Sequence, residues 1–153
     1  MTPATLFLEK QKAAFTLHPY HCTADDDFGA HAAAQLQVPL DLVFKTLLTE
    51  GEQGAVVALV PSSGKVNLKR LAKAAGMKKL EMMAPAKAER LTGYKVGGIS
   101  PFAQKKRLST VVDASALQHS EILVSGGKRG LSLGISAQLL QTLLGAVIAD
   151  IAE

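Results

Sequence analysis

Two apolar runs, Val43 to Leu48 and Ala55 to Val60, are separated by little more than Glu50-Gly51-Glu52-Gln53-Gly54. A connection that short, carrying two glycines, can only join antiparallel neighbours, because a parallel pair needs a crossover of about a dozen residues or more. A central hairpin therefore argues against a doubly wound α/β fold. The rest of the chain agrees. Phe15 to Tyr20, Thr110 to Asp113, Glu121 to Ser125 and Leu131 to Ile135 read as further strands. Thr5 to Lys12, Phe28 to Gln37, Leu68 to Ala75, Pro85 to Leu91 and Ala137 to about Leu144 read as helices. Asn67 and Ser136 stand where N-caps belong, and Gly76 and Gly93 where helices stop. Helices and strands alternate without a regular βαβ rhythm, so the sequence predicts α+β: one domain over residues 1–153, with a mixed, largely antiparallel, curled sheet flanked by helices.

The 153 residues are enough for one sizeable core and too few for two. With 48% hydrophobic but only 5% aromatic residues, that core must be built from Ala, Leu, Val and Ile. Cys22 is the one cysteine, which excludes an internal disulfide and a Cys-rich zinc site and points to a reducing compartment. The amino terminus has no basic segment followed by a long apolar one, and no apolar run approaches membrane-spanning length, so a cytoplasmic protein without a membrane partner is expected.

Net charge is unevenly distributed. Residues 65 to 107 hold twelve Lys or Arg against Glu81 and Glu89, a net of +10, whereas the parts before and after are acidic. Such a segment is the footprint expected for a polyanion, of which nucleic acid is the commonest; the plain alternative is a set of solvated helix faces.

Within the basic segment lies Thr92-Gly93-Tyr94-Lys95-Val96-Gly97-Gly98-Ile99-Ser100-Pro101, running on to Gln104-Lys105-Lys106-Arg107; a second glycine-rich turn spans Ser125-Gly126-Gly127-Lys128-Arg129-Gly130. Glycines let the main chain approach a ligand closely, and Pro101 stiffens the exit. The two loops are expected to flank one pocket for a phosphate-bearing group, with basic residues along its approach. Lys45 is the most unusual single residue, a cation inside an apolar strand. Either its ammonium reaches past the sheet edge to water, or it stands fixed in a pocket to bind a phosphate or an ester carbonyl. Cys22 with His18, His21, His31 and His119 raises the possibility of a thiol nucleophile, although the spacing matches no metal motif. Neither glycine loop has the spacing of a Walker A or dinucleotide fingerprint, and no G-x-S-x-G occurs, so no metal or cofactor is expected. Asp113, at a strand end, reads as a turn residue or as a group that orients a donor in the pocket.

Taken together, Phe44-Lys45-Thr46-Leu47, the Gly97-Gly98-Ile99-Ser100-Pro101 loop, Gln104-Lys105-Lys106-Arg107 and Ser125-Gly126-Gly127-Lys128-Arg129-Gly130 resemble the YbaK/EbsC family of aminoacyl-tRNA deacylases, over essentially the whole chain. The resemblance implies a free-standing relative of the editing domain of bacterial prolyl-tRNA synthetases, and most resembles the branch that removes cysteine from proline tRNA. It implies a catalytic role for Lys45 and a substrate-binding role for Tyr20, Phe28, Thr46, Gly97, Gly98, Ile99, Ser100, Pro101, Ser125, Gly126 and Gly127, with Asp113 alongside. It also implies mischarged proline tRNA as partner and a passing complex with prolyl-tRNA synthetase. Domains that clear alanine carry a histidine shortly after a Gly-Ala-Asn turn, whereas here Gly126-Gly127-Lys128-Arg129-Gly130-Leu131 stands, which favours cysteine. A module that binds a tRNA end without turnover, and a deacylase for another amino acid such as alanine, are the alternatives.

Overall fold

Thr2 opens the first helix of the computed structural model, which describes residues 1–23 and 25–153. Its hydroxyl accepts from the Thr5 N–H while the Thr5 hydroxyl accepts from the Thr2 N–H, a reciprocal cap that starts α1 (Pro3–Lys10) two residues before the expected Thr5. There follow β1 (Thr16–Pro19), α2 (Phe28–Leu36), β2 (Phe44–Gly51), β3 (Gly54–Pro61), α3 (Leu68–Ala74), β4 (Glu81–Met82), α4 (Pro85–Thr92), β5 (Ser109–Asp113), β6 (Ile122–Ser125), β7 (Leu131–Ile135), α5 (Ala137–Leu144) and β8 (Val147–Ala149). The caps fall where the sequence puts them. Asn67 accepts from the Arg70 N–H at 3.0 Å, Ser136 from the Leu139 N–H at 3.2 Å, and Gly93 takes the left-handed conformation, φ 82°, that ends α4.

The central hairpin forms in full register, Phe44 opposite Pro61 through Gly51 opposite Gly54. Around it the strands divide into two sheets, β4-β2-β3-β5-β8 and β1-β7-β6. Pairing is antiparallel except for β3 with β5 and β5 with β8, so the mixed, largely antiparallel α+β architecture holds. The curled sheet is in fact two sheets touching at one parallel bridge, Val43 to Leu123. β4 and β8 were not legible, being two and three residues long and with no fully buried position.

β3 explains its own unbroken apolar sequence. One face, with Val57 and Leu59, joins Phe44, Leu48, Phe102, Ile122, Val124, Leu133 and Leu140 in the core between the sheets. The other, with Val56, Ala58 and Val60, is covered by Leu71 and Ala72 of α3 and by Ile151. A strand buried on both faces cannot alternate with polar residues. A third, smaller cluster packs Ala32 and Ala33 of α2 on Val43 and Leu123, directly over the bridge between the sheets. Among the described residues no helix is long and apolar enough to cross a membrane.

Candidate active site

β2 runs short of neighbours where the sheets meet. β4 covers it only at Thr49 and Glu50, and the bridge to β6 lies at Val43. The Ser62 N–H donates to Val43 O at 2.7 Å and the Met83 N–H to Leu48 O at 3.0 Å. Odd residues of β2 thus bond towards β3, and even residues present their main-chain groups at the opposite edge. Between positions 43 and 49 that open edge forms one wall of a cavity of about 310 Å³. Phe44, Lys45, Thr46 and Leu47 line it from β2, Ser62 from the end of β3, Asp27, Phe28 and Gly29 from the start of α2, and Tyr20 from the segment after β1. Val96, Gly97 and Ile99 close one side; Val124, Ser125 and Ser132 close another.

Lys45 is partly buried in this wall. Desolvation pushes its ammonium below the ordinary 10.5; Asp27 works against that and Lys65 adds to it. Lys45 is thus a partly desolvated cation among the residues that line the cavity. Thr46 and Ser62 line the same cavity, and their hydroxyls are buried oxygens without a hydrogen-bond partner among the described residues. Buried hydroxyls are ordinarily paired, so these two are the buried side-chain polar atoms of the cavity-lining residues that the described residues leave unsatisfied. Gly29 packs against Ser62 so closely that a Cβ there would stand 2.1 Å from the hydroxyl oxygen. Burial also pushes the Tyr20 hydroxyl above 10.0.

The two glycine loops pack against each other. A Cβ on Gly98 would lie 2.7 Å from the Lys128 Cα and 2.9 Å from the Arg129 nitrogen, and Gly97, at φ 89°, has the Phe28 ring where its own Cβ would be. The Arg129 Nε–H donates to Val96 O at 2.9 Å, and its guanidinium lies 4.6 Å from the centre of the Phe28 ring. Of the expected pocket residues, Tyr20, Phe28, Lys45, Thr46, Gly97, Ile99 and Ser125 line the cavity, while Gly98, Ser100, Pro101, Gly126, Gly127 and Asp113 do not.

Each of those six has other work. The Gly98 N–H donates to Lys95 O at 2.8 Å, which removes it as a donor to a ligand. The N–H groups of Ile99 and Ser100 have no acceptor among the described residues. Ser100 is wholly buried behind Ile99, its carbonyl accepting from Gln104 Nε2, and Pro101 borders a separate groove with Phe7 and Arg107. Gly126 O accepts from the Thr2 hydroxyl at 2.5 Å, and Gly127, at φ 103°, fits against Thr2 and Tyr94, so both glycines anchor their loop to α1. Asp113 is a structural clamp: Oδ1 accepts from the Ile151 and Ala152 N–H groups, each at 2.9 Å, and Oδ2 from Ser115. Burial alone would raise its carboxyl, but these hydrogen bonds outweigh that and hold it below 3.8.

Cys22 lies near Gly130 and outside the cavity lining, and His31 is engaged with the Thr23 N–H and His21 O, so no thiol and imidazole converge there. Sequence reasoning missed Asp27, Gly29, Ser62, Val96 and Ser132. Ser62 sits in Pro61-Ser62-Ser63-Gly64, which reads as an ordinary turn. Arg129 was visible within its motif, but nothing in the sequence tied it to Phe28.

Residues 27–143 match the family model described as the aminoacyl-tRNA editing domain. Over 151 residues, 98% of this chain and 92% of the relative, the sequence is 35% identical to a protein of Enterococcus faecalis (strain ATCC 700802 / V583) provisionally named Cys-tRNA(Pro)/Cys-tRNA(Cys) deacylase EbsC. Among solved structures, a protein described as hypothetical superposes with a TM-score of 0.89 at 26% identity, covering 99% of both chains. Another, provisionally described as a trans-editing enzyme for prolyl tRNA synthetase, superposes at 0.88 with 23% identity, covering 99% of this chain and 95% of its own. The cavity at the joint of two sheets, with its cation and glycine loops, is thus set in a chain that belongs to the aminoacyl-tRNA editing domain family.

Proposed function

We propose that this protein hydrolyses the ester that joins a mistakenly attached cysteine to the 3′ end of proline tRNA. The observation that carries the reading is Lys45, a partly buried cation in a small cavity alongside Gly97, Ile99 and two idle hydroxyls. The cavity, about 310 Å³, is of the size that takes a small ligand group.

An aminoacyl ester is already activated, so positioning and charge stabilisation supply most of what the reaction needs. Lys45 holds the terminal phosphate or ribose region. The unengaged N–H group of Ile99 replaces that of Gly98 as a donor to the ester carbonyl. The thiol of the substrate cysteine then attacks that carbonyl carbon. Its sulfur forms the new bond, the bond to the ribose oxygen breaks, and the thiol proton ends on that oxygen. The released thiolactone is strained and opens in water to free cysteine. Alanine has no thiol, so selectivity resides in the substrate's own chemistry. Choice of proline tRNA falls to a passing complex with prolyl-tRNA synthetase.

Deacylation of cysteinyl-tRNA(Pro) by the parent and by Lys45→Ala tests this. The parent clears the ester and the variant loses roughly 100-fold or more, the scale of removing one charge-stabilising donor. A module that only binds the tRNA end shows no ester loss with either protein.

A further inference from the structure

The cations between residues 65 and 107 differ in their surroundings. Arg70 is committed to Asp150 at 3.6 Å and to Ala152 O at 3.1 Å, and Lys87 to Glu50. Lys78 and Lys79 border a groove that also holds Glu50, Glu52 and Glu81, so the charge there is mixed. That groove lies at the Gly51–Gly54 turn. Six residues of strand, about 20 Å at 3.3 Å each, separate it from Lys45.

The cations at the end of α4 are arranged differently. The Lys105 N–H donates to Thr92 O at 2.8 Å and the Lys106 N–H to Leu91 O at 3.0 Å, which folds this segment back onto the last turn of α4, where Arg90 stands. A Cβ on Gly93 would lie 3.5 Å from the Lys105 Cβ, and Lys95 follows immediately. From Lys95 the path reaches the cavity, because Val96 O holds Arg129 and Gly98 packs on the main chain of Lys128 and Arg129, beside Phe28. Arg90, Lys95, Lys105, Lys106, Lys128 and Arg129 are all exposed, and among the described residues none makes an ion pair. Glu89, the carboxylate nearest them in sequence, accepts the Val96 N–H at 2.8 Å.

We propose that this ridge, and not the Lys78–Lys79 end of the molecule, carries the phosphates of the tRNA acceptor stem as its 3′ terminus enters the cavity. The proposal rests on the reading of the cavity as the ester site. Exposed lysines and arginines along a track neutralise phosphates without reading sequence, which suits a stem whose only fixed feature is where its end must go.

The test pairs two charge-matched double variants, Lys105→Glu with Lys106→Glu and Lys78→Glu with Lys79→Glu. Each is assayed for binding of uncharged tRNA(Pro) across a salt series, and for hydrolysis of cysteinyl-tRNA(Pro) and of a cysteinyl adenosine ester that has no stem. The ridge variant is expected to lose about tenfold or more in tRNA affinity at low salt, with the log–log salt slope reduced by about 1 per lysine. Its kcat/KM falls on the tRNA and holds within about twofold on the short ester, while the Lys78–Lys79 variant follows the parent throughout. Equal losses in the two variants, or an equal loss on the short ester, overturn the ridge. If the parent hydrolyses neither ester, the deacylase reading fails, and the binding comparison still decides the ridge.

Discussion

Among the described residues, Thr46 Oγ1 and Ser62 Oγ are buried side-chain oxygens without a hydrogen-bond partner, and both residues line the cavity. A buried hydroxyl deprived of hydrogen bonds costs about 1–3 kcal/mol, a cost worth keeping only if a ligand recovers it. Thr46→Val and Ser62→Ala are therefore expected to stabilise the empty protein by about 1 kcal/mol each, read as a rise in Tm, while lowering kcat/KM for cysteinyl-tRNA. A drop in Tm with unchanged kinetics would assign the hydroxyls to the fold instead. Lys45 is costly in the same sense, since desolvation works against its charge and Asp27 is the carboxylate that offsets it. The glycines divide by task. Gly97 gives room to the Phe28 ring at the cavity, whereas Gly127 gives room to Thr2 and Tyr94 away from it.

Asp113 shows how one residue ties elements together. It ends β5, supports the 3₁₀ turn Ala114–Gln118 through Ser115, and holds the carboxy-terminal segment at Ile151 and Ala152. Its carboxyl is held below 3.8 in the fold, so its stabilisation is complete above that value and disappears as pH falls through the folded one. Asp113→Asn should destabilise by about 2 kcal/mol in urea unfolding near neutral pH, with the gap to the parent closing as pH falls below 3.8 and through the lowered folded value. A gap independent of pH would show that charge plays no part. The same residue marks the limit of sequence reading, because its partners lie nearly forty positions away. Features set by neighbours were legible: the 43–60 hairpin, the Asn67 and Ser136 caps, the Gly93 stop. Features set by distant pairing were not, among them β4, β8, the division into two sheets and the anchoring of Gly126 to Thr2. The candidate site divides likewise. Lys45, Tyr20 and Phe28 stood out by type or by resemblance, whereas Ser62 enters the cavity only because β3 continues its pairing past Pro61 to Val43.

For the molecule as a whole, the arrangement separates holding from reacting. Two sheets meet at one bridge and leave an open strand edge; α2 and two interlocked glycine loops roof it; and a run of cations, none in an ion pair among the described residues, leads away from its mouth. Cys22 lies outside the lining, and in the proposed reading bond breaking draws on the substrate's own thiol. The most direct measurement of that claim is the initial rate of deacylation on proline tRNA carrying cysteine, serine or alanine, at one enzyme concentration and one salt. An intramolecular thiol should clear the cysteinyl ester roughly 100-fold or more faster than the other two. Alanyl- or seryl-tRNA cleared as fast as cysteinyl-tRNA would contradict the account.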